Sequence, residues 1–275
     1  MGYIKIIKQA LQEDVGNGDI TTNSVVGRKA VAKGEFLVKA TGVVAGLDVA
    51  KEVFRQVDRR IKFSANVKDG AKVNKGKVIA TVSGPARGIL TGERVALNFL
   101  QKLSGIATLT RNFKIQILKS KNRVHLLDTR KTTPGLRELE KMAVKAGGGT
   151  NHRMGLWDAV LIKDNHIKIV GGVRKAVVAA RLALPQTPIE VEAKTIAQVK
   201  QAISLRVDRI LLDNMSLKTL RQAVKLCQKA KIKTEASGGV NLNNVKAIAK
   251  TGVDFISVGA LTHSAPALDI SLKLI

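Results

Sequence analysis

Short apolar runs alternate with amphipathic segments from about Val124 onward. The runs, each long enough for one buried strand, are Val124–Leu127, Ala159–Ile162, Ile189–Val191, Ile210–Leu212, Thr234–Ala236 and Phe255–Val258. Apolar residues recur at helical spacing between the runs, as in Leu217–Lys229, for which Ser216 is a suitable N-cap, and in Asn244–Lys250. Six strand–helix units in succession predict a parallel sheet, which we expect to form a (β/α) barrel with fewer units than a complete TIM barrel. An open doubly wound sheet is the alternative.

The chain before residue 105 follows a different pattern. Its predicted elements are helices at Ile4–Glu13 and Ala50–Val57 and strands at Gly34–Ala40 and Lys77–Ser83, with glycine-bearing turns between them. Thr91–Leu118 predicts a longer helix. We expect this helix to be broken or kinked near Gly105, because glycine weakens a helix interior.

The charge of the chain is strongly positive, with 47 Lys and Arg against 21 Asp and Glu, a formal net charge of +26 over 275 residues. The excess is spread along the chain, since residues 1–104 hold 18 basic and 9 acidic residues and the remainder holds 29 and 12. Aromatic residues make up only 3% of the chain, too few for a base-stacking surface. No helix-turn-helix, zinc-finger or RNP motif is present. We therefore expect anionic small molecules as partners and no specific nucleic acid.

Cysteine content and hydropathy restrict the class further. Cys227 is the only cysteine, which excludes an internal disulfide and a cysteine-based metal site, and its helical position indicates packing. No apolar run approaches the roughly 20 residues of a transmembrane helix, and we find no signal peptide. A globular, cytoplasmic protein is expected. His125 and Trp157 lie in or near apolar runs and are interpreted as core residues.

Polar residues or glycines follow every predicted strand, where the loops of a parallel barrel form its site. These residues are Asp128–Gly135, Lys163–His166, Glu192, Asp213 with Asn214, Ser237–Gly239, and Gly259. Arg130, Lys131 and Lys163 supply cations suited to carboxylate or phosphate, and the His152–Arg153 pair lies close enough in sequence to join them.

Two further groups of residues suit a phosphorylated ligand. Glu192 and Asp213 are two carboxylates of the kind that hold Mg²⁺ together with substrate phosphates. Ser237–Gly239 and Gly259 present backbone N–H groups with little side chain to block a phosphate. The strand ends therefore predict a site for a polyanion, bound through Mg²⁺, backbone N–H groups and basic side chains.

Seven ordered motifs resemble the quinolinate phosphoribosyltransferases and cover essentially the whole chain. In the second part of the chain they are Thr129–Gly135, Gly147–Arg153, Leu161–His166, Glu190–Glu192, Leu212–Asn214, Glu235–Gly239 and Ser257–Ser264. Upstream, Glu13-Asp14 with Gly18–Thr22, and Gly92–Asn98, are similar to the same family.

The resemblance implies a Mg²⁺-dependent enzyme that transfers the phosphoribosyl group of PRPP to quinolinate. Pyrophosphate and CO₂ leave, and nicotinate mononucleotide is formed for de novo NAD synthesis. The implied architecture is an N-terminal α/β sandwich, residues 1–104, joined by a C-terminal strand within residues 266–275, and an open α/β barrel, residues 105–265. The implied assembly is a homodimer in which Arg94 completes the site of the neighbouring subunit, with assembly of dimers into a hexamer left open.

The resemblance also assigns roles to individual residues. The residues implied to bind quinolinate are Arg94, Thr129, Arg130, His152, Arg153 and Lys163. Those implied to bind PRPP or its phosphate are Lys131, Ser237, Gly238, Gly239, Gly259, Ala260, Leu261 and His263. Glu192 and Asp213 are implied as metal ligands, and the residues expected at the reacting centre are Lys131, Lys163, Glu192 and Asp213.

One position departs from the family pattern, because Lys194 stands where the family often has a further acidic residue. We expect Lys194 to lie behind the site, although a role in metal binding for the missing carboxylate would imply weaker affinity here. Three alternatives are a molybdate-transport-associated paralogue of the same fold, a nicotinate phosphoribosyltransferase, and a basic nucleic-acid-binding protein.

Overall fold

The structure is a computed structural model that describes residues 2–275. The strands are β1 (Val31–Val38), β2 (Gly42–Val43), β3 (Lys62–Ala65), β4 (Lys72–Val73), β5 (Val78–Pro85), β6 (His125–Leu127), β7 (Val160–Ile162), β8 (Ile189–Ala193), β9 (Arg209–Asp213), β10 (Lys233–Ser237), β11 (Phe255–Ser257) and β12 (Ile270–Leu274). The helices are α1 (Ile4–Val15), α2 (Ile20–Val25), α3 (Leu47–Val57), α4 (Ala86–Leu118), α5 (Arg137–Ala146), α6 (Asp164–Val170), α7 (Val173–Ala183), α8 (Ile196–Ser204), α9 (Leu217–Lys229), α10 (Val245–Ala249) and α11 (Ala260–His263).

The described residues form two compact units. The first contains the chain up to Arg111, Thr132–Gly148 and Leu261–Ile275, and the second contains Asn112–Lys131 and Gly149–Ala260. The domain bounds expected from the sequence, at residues 104 and 265, stay a prediction.

An antiparallel sheet forms the centre of the first unit, in the order β12-β1-β5-β3. The last strand of the chain thus pairs with the first, because β12 lies beside β1 with Phe36 opposite Leu272. Helix α3 contributes Phe54 to an aromatic cluster with Phe36 and Phe63, whose ring centroids lie 5.6 to 6.1 Å apart. Burial of such large side chains stabilises each by about 1.5–3 kcal/mol and holds the helix on its unit.

Helix α4 runs without interruption through Gly105, so the predicted break is wrong. A Cβ at Gly105 would lie 2.0 Å from the carbonyl oxygen of Pro266. The glycine therefore serves a close approach between the helix and the segment that precedes β12, and tertiary packing outweighs its low helix propensity.

The second unit contains a six-stranded parallel sheet in the order β6-β11-β10-β9-β8-β7. All six strands fall on the predicted apolar runs, and the predicted mixed α/β fold class is confirmed. Strands β6 and β7 follow each other in the chain but form opposite edges of the sheet. A single parallel bridge from Thr150 to Leu127 extends the β6 edge.

Helix α9 has the predicted bounds and cap. Ser216 Oγ accepts a hydrogen bond of 3.2 Å from the backbone N–H of Thr219, which satisfies one free donor of the first turn. Cys227 is fully buried on this helix, as predicted, and burial raises the pKa of its thiol to about 11. The interpretation of Trp157 as a core residue is wrong, since it is 82% exposed in the loop before β7.

His125 is also exposed, and its ring packs against Phe255 at 5.4 Å rather than entering the core. Alternation along β6 explains this position, because Leu126 takes the buried place next to it. No helix within residues 2–275 combines the length and apolarity that crossing a membrane requires.

Candidate active site

The carboxyl ends of the six parallel strands gather at one edge of the second unit. Lys163 follows β7, Glu192 lies within β8, and Asp213 and Ser237 end β9 and β10 opposite each other in register. The sheet therefore brings together the lysine, the two carboxylates and the phosphate-binding segment that the sequence predicts.

Two arginines lie in the connection from β6 to β7, Arg130 shortly after β6 and Arg153 shortly before β7. The pKa of Arg153 is lowered, first by its partial burial and then by the positive charge of Arg130. Arg153 Nη1 donates to the backbone oxygen of Ala159 at 3.0 Å, which fixes the guanidinium near the start of β7. Like charges held close together are stabilised by a bound anion, and a forked guanidinium suits a carboxylate.

Lys163 and Glu192 form an ion pair at the same edge, with Nζ 3.1 Å from Oε2. Glu192 is buried, whereas the lysine side chain is 46% exposed and accessible to a ligand. The backbone of Lys163 is held as well, because its N–H donates to Nδ1 of His166 at 2.9 Å at the start of α6.

Lys194 lies beside the predicted metal ligands, so the expectation that it lies behind the site is wrong. Its Nζ is 2.6 Å from Oδ2 of Asp164 and 3.8 Å from Oε1 of Glu192. The pKa of Lys194 is raised, chiefly by the hydrogen bond to Asp164 and further by the charges of Glu192 and Asp213. The lysine follows β8 directly in the chain.

The Ser237–Gly239 segment is shaped by backbone conformations that favour glycine. Gly238 has φ +93° and Gly239 φ +60°. A Cβ at Gly238 would lie 2.2 Å from Oδ1 of Asn214, so any other residue would have to displace that amide. The backbone N–H of Asn214 donates to the oxygen of Ser237 at 2.9 Å and ties the β9 and β10 loops together.

Two asparagines, not predicted from the sequence, complete this segment. Nδ2 of Asn244 donates to the backbone oxygen of Gly239 at 2.9 Å, and Oδ1 of Asn244 accepts from the N–H of Asn241 at 2.8 Å. The asparagine-rich stretch at 241–244 was the available signal, because asparagine side chains commonly satisfy the backbone of tight loops.

A buried ionic cluster lies within the barrel beside these residues. Nε2 of His152 is 3.5 Å from Oε2 of Glu190 and 3.4 Å from Oε2 of Glu235, and Nη1 of Arg209 is 3.1 Å from the same oxygen of Glu235. The ligand-type atoms of the histidine and the two glutamates lie within 4.8 Å of one another. Arg209 supplies a fixed positive charge where a metal ion would be needed, so we interpret the cluster as an ion-pair network.

The charge on His152 follows from the two carboxylates. Burial by itself would lower the pKa of His152, but hydrogen bonds and charges from Glu190 and Glu235 outweigh it and raise the pKa to about 9. The N–H of Arg153 lies 2.7 Å from Nδ1, an approach that is a hydrogen bond only for a neutral ring. Both carboxylates place an oxygen within 3.5 Å of Nε2, and this favours the protonated ring.

The remaining predicted residues lie in several places. Thr129 Oγ1 accepts from the N–H of Lys131 at 3.0 Å and shapes the loop after β6. Gly259 and Ala260 follow β11 in the second unit, whereas Arg94, Leu261 and His263 belong to the first. Arg94 is an exposed residue of α4, Leu261 is fully buried, and His263 contacts its neighbour Ser264. Their functional roles stay predictions.

Cations, two carboxylates and a glycine segment near the ends of parallel strands suit an enzyme that acts on anionic, phosphorylated substrates. The family model "Quinolinate phosphoribosyl transferase, C-terminal domain" matches residues 106–273, and the corresponding N-terminal domain model matches residues 19–104. The chain therefore belongs to the quinolinate phosphoribosyltransferase family, as its motifs predict, and the predicted enzyme class is confirmed.

Relatives of this chain are similar over nearly its full length. The "Probable nicotinate-nucleotide pyrophosphorylase (carboxylating)" of Bacillus subtilis is 46% identical, over 98% of this chain and 92% of the relative. The mitochondrial quinolinate phosphoribosyltransferase (decarboxylating) 2b of Nicotiana tabacum is 43% identical, over 98% of this chain and 81% of its own length. The crystal structure of NadC from Streptococcus pyogenes superposes with a TM-score of 0.94 at 41% identity, over 99% of this chain and 96% of that one.

Proposed function

We propose that this chain transfers the phosphoribosyl group of PRPP to the ring nitrogen of quinolinate, with loss of pyrophosphate and CO₂, and so makes nicotinate mononucleotide for NAD biosynthesis. The observation that carries the proposal is the set of three cations around β7: Lys163, partly exposed at its carboxyl end and paired with Glu192, and Arg130 and Arg153 in the connection from β6. A dicarboxylate matches this set of cations better than a monocarboxylate does.

Arg130, Arg153 and Lys163 are proposed to bind the two carboxylates of quinolinate. Arg153 is oriented by its hydrogen bond to Ala159, and Lys163 by its pair with Glu192. Both cations are thereby fixed before the substrate arrives, which lowers the entropic cost of orienting the ring nitrogen toward the ribose. Thr129 and His152 are proposed to shape this part of the site.

PRPP is proposed to bind along the glycine segment and the two strand-end carboxylates. Ser237, Gly238 and Gly239 would hold the 5′-phosphate through backbone N–H groups, as would Gly259, Ala260 and Leu261. Lys131 and His263 are proposed to add contacts to phosphate. Glu192 and Asp213 would face the ribose and the pyrophosphate.

The donor set of this site suits Mg²⁺, since carboxylate oxygens are its preferred protein ligands. Asp213 is half-exposed at the end of β9, and Glu192 is buried with lysine Nζ atoms 3.1 and 3.8 Å from its two oxygens. We propose that Glu192 and Asp213 hold the ion, with the pyrophosphate oxygens as its other ligands. Bound there, Mg²⁺ would stabilise the negative charge that develops on pyrophosphate.

The chemistry requires binding and electrostatics more than a nucleophile. The C1–O bond to pyrophosphate breaks as the ring nitrogen of quinolinate forms its bond to C1, with positive charge spread over the ribose. The ring nitrogen becomes cationic and stabilises the electron pair that stays on C2 when the bond to the 2-carboxylate breaks, and a solvent proton then takes the place of CO₂ on that carbon. Fixed cations at the site favour both steps, since they hold substrates in place with little reorganisation.

The proposal also covers the oligomeric state of the protein and its cellular location. We propose a homodimer in which the exposed Arg94 enters the site of the partner subunit; whether dimers assemble further into a hexamer is decided by their mass in solution. Cytoplasmic location stays a prediction, since the tobacco relative carries "mitochondrial" in its name.

The proposal is tested with purified protein, Mg²⁺, PRPP and quinolinate, with nicotinate mononucleotide measured by chromatography and released CO₂ by a carboxyl label. We expect equal amounts of the two products. Turnover with nicotinate but none with quinolinate would assign the site to a monocarboxylate, and no turnover with either would favour the paralogue associated with molybdate transport.

A further inference from the structure

Four ionisable side chains of the second unit meet at strands β8, β9 and β10. Glu190 of β8 lies opposite Arg209 of β9 in register, and Glu235 of β10 lies one strand further on. His152 approaches from the loop before β7 and reaches both glutamates. Three strands and one loop thus contribute one residue each to a single network.

Three of the four side chains are shielded from solvent, and that of Arg209 is 30% exposed. The side chain of Glu235 is fully buried, and those of Glu190 and His152 are each 10% exposed. Both carboxylates use Oε2 toward the cations, while Oε1 of Glu190 and of Glu235 have no hydrogen-bond partner among the described residues. Buried ion pairs are often no more stable than apolar packing of the same volume, so stability alone does not account for this arrangement.

The network contacts the segment of the chain that carries Arg153. The backbone N–H of His152 donates to Oδ1 of the buried Asp128 at 2.9 Å, and its ring is held by the two glutamates. Backbone and side chain of this residue are therefore both fixed. Arg153 follows it directly in the chain, and its guanidinium donates to the backbone oxygen of Ala159, the residue before β7.

We propose that Glu190, Glu235 and Arg209 are positioning residues that act through His152 to set Arg153 for the dicarboxylate substrate. The proposal rests on the proposed function for the identity of that substrate. Arg209 has two tasks: it neutralises the glutamates, and it lies 4.2 Å over the ring of Phe255, which holds its guanidinium in place.

The test compares Glu235→Gln with Asp254→Asn as a matched control. Asp254 also belongs to an ion pair of this barrel, with Lys233 at 2.8 Å, but at the amino end of β10. Calorimetry measures quinolinate and PRPP binding separately, so no turnover is needed. For Glu235→Gln we expect quinolinate to bind about tenfold more weakly, with PRPP binding changed less than about twofold. Asp254→Asn should lower thermal stability without this selective loss.

A double-variant cycle measures the coupling between Glu235 and His152 in quinolinate binding. If Glu235 acts through His152, then Glu235→Gln has no further effect on quinolinate binding in a His152→Asn background. Equal losses for both ligands, additive effects, or lower thermal stability with unchanged binding would overturn the proposal. If Glu235→Gln does not fold, Arg209→Lys is tested in its place, because it keeps the positive charge and changes the geometry of the contacts. The same results support or overturn the proposal.

A readout without ligand separates this proposal from the proposed function. NMR of the His152 ring and Arg153 guanidinium nitrogens should show shifts in Glu235→Gln and none in Asp254→Asn. If the wild-type protein binds no quinolinate but these shifts occur, the proposed quinolinate transfer is wrong and the positioning of Arg153 by the network is still supported. Unmoved Arg153 signals would contradict the network whatever the substrate is.

Discussion

Lys163 and Glu192 join the ends of two neighbouring strands, with Nζ of the lysine 3.1 Å from Oε2 of the buried glutamate. The pair gives the lysine a fixed position while almost half of its side chain stays exposed. A cation held in this way is oriented for an anionic ligand without further loss of conformational freedom.

Replacing Lys163 with Met should remove a charge-assisted contact to quinolinate while keeping the length of the side chain. We expect kcat/KM for quinolinate to fall roughly 100-fold, equivalent to about 2.7 kcal/mol. Steady-state kinetics with each substrate varied measures the change. Lys233→Met is the matched control, because this lysine is paired with Asp254 at the other end of the barrel and should retain normal kinetics.

Replacing Lys194 with Glu should strengthen metal binding, because a cation 3.8 Å from Glu192 is exchanged for an anion. We expect the affinity for Mg²⁺ in the absence of substrates to rise roughly tenfold, a gain of about 1.4 kcal/mol. Titration calorimetry with MgCl₂ measures it, and Lys200→Glu, on the exposed face of α8, controls for net charge. Equal affinities of wild type and Lys194→Glu would show that Glu192 is not a metal ligand.

Replacing Gly238 with Ala should harm PRPP binding, since the new Cβ would lie 2.2 Å from Oδ1 of Asn214. Gly76 has φ +87°, and a Cβ added there would have no atom within 4 Å, so Gly76→Ala carries only the backbone cost of about 1 kcal/mol. We expect the PRPP KM to rise at least about tenfold for Gly238→Ala and to be unchanged for Gly76→Ala. A normal KM in Gly238→Ala would remove this segment from the PRPP site.

Arg94→Ala and Lys163→Ala proteins should each be nearly inactive but should complement each other if the arginine acts across a dimer. Random exchange of subunits then restores roughly a quarter of the wild-type sites, because half of the dimers are mixed and each has one complete site. Activity of the mixture after subunit exchange measures this. Mixed dimers demonstrated by mass spectrometry without regained activity would place Arg94 outside the partner's site.

The local elements could be predicted because neighbouring residues determine them. The six apolar runs become the six parallel strands, and α9 begins at the predicted cap and ends where predicted. Where prediction failed, a distant residue was responsible. Gly105 lies within the continuous helix α4, against the carbonyl oxygen of the distant Pro266, and the Nζ of Lys194 is held by Asp164, 30 residues earlier in the chain.

The sequence by itself determined the order of strands and helices, the residues at the strand ends and the family, because each of these is encoded in local pattern and motif. Only the tertiary structure decided which charges meet. Arg209 follows Glu190 by 19 residues and Glu235 follows Arg209 by 26, and no periodicity links them to His152. Parallel pairing places Glu190 opposite Arg209 and brings Glu235 onto the neighbouring strand, where the low solvent exposure of the glutamates strengthens their contacts.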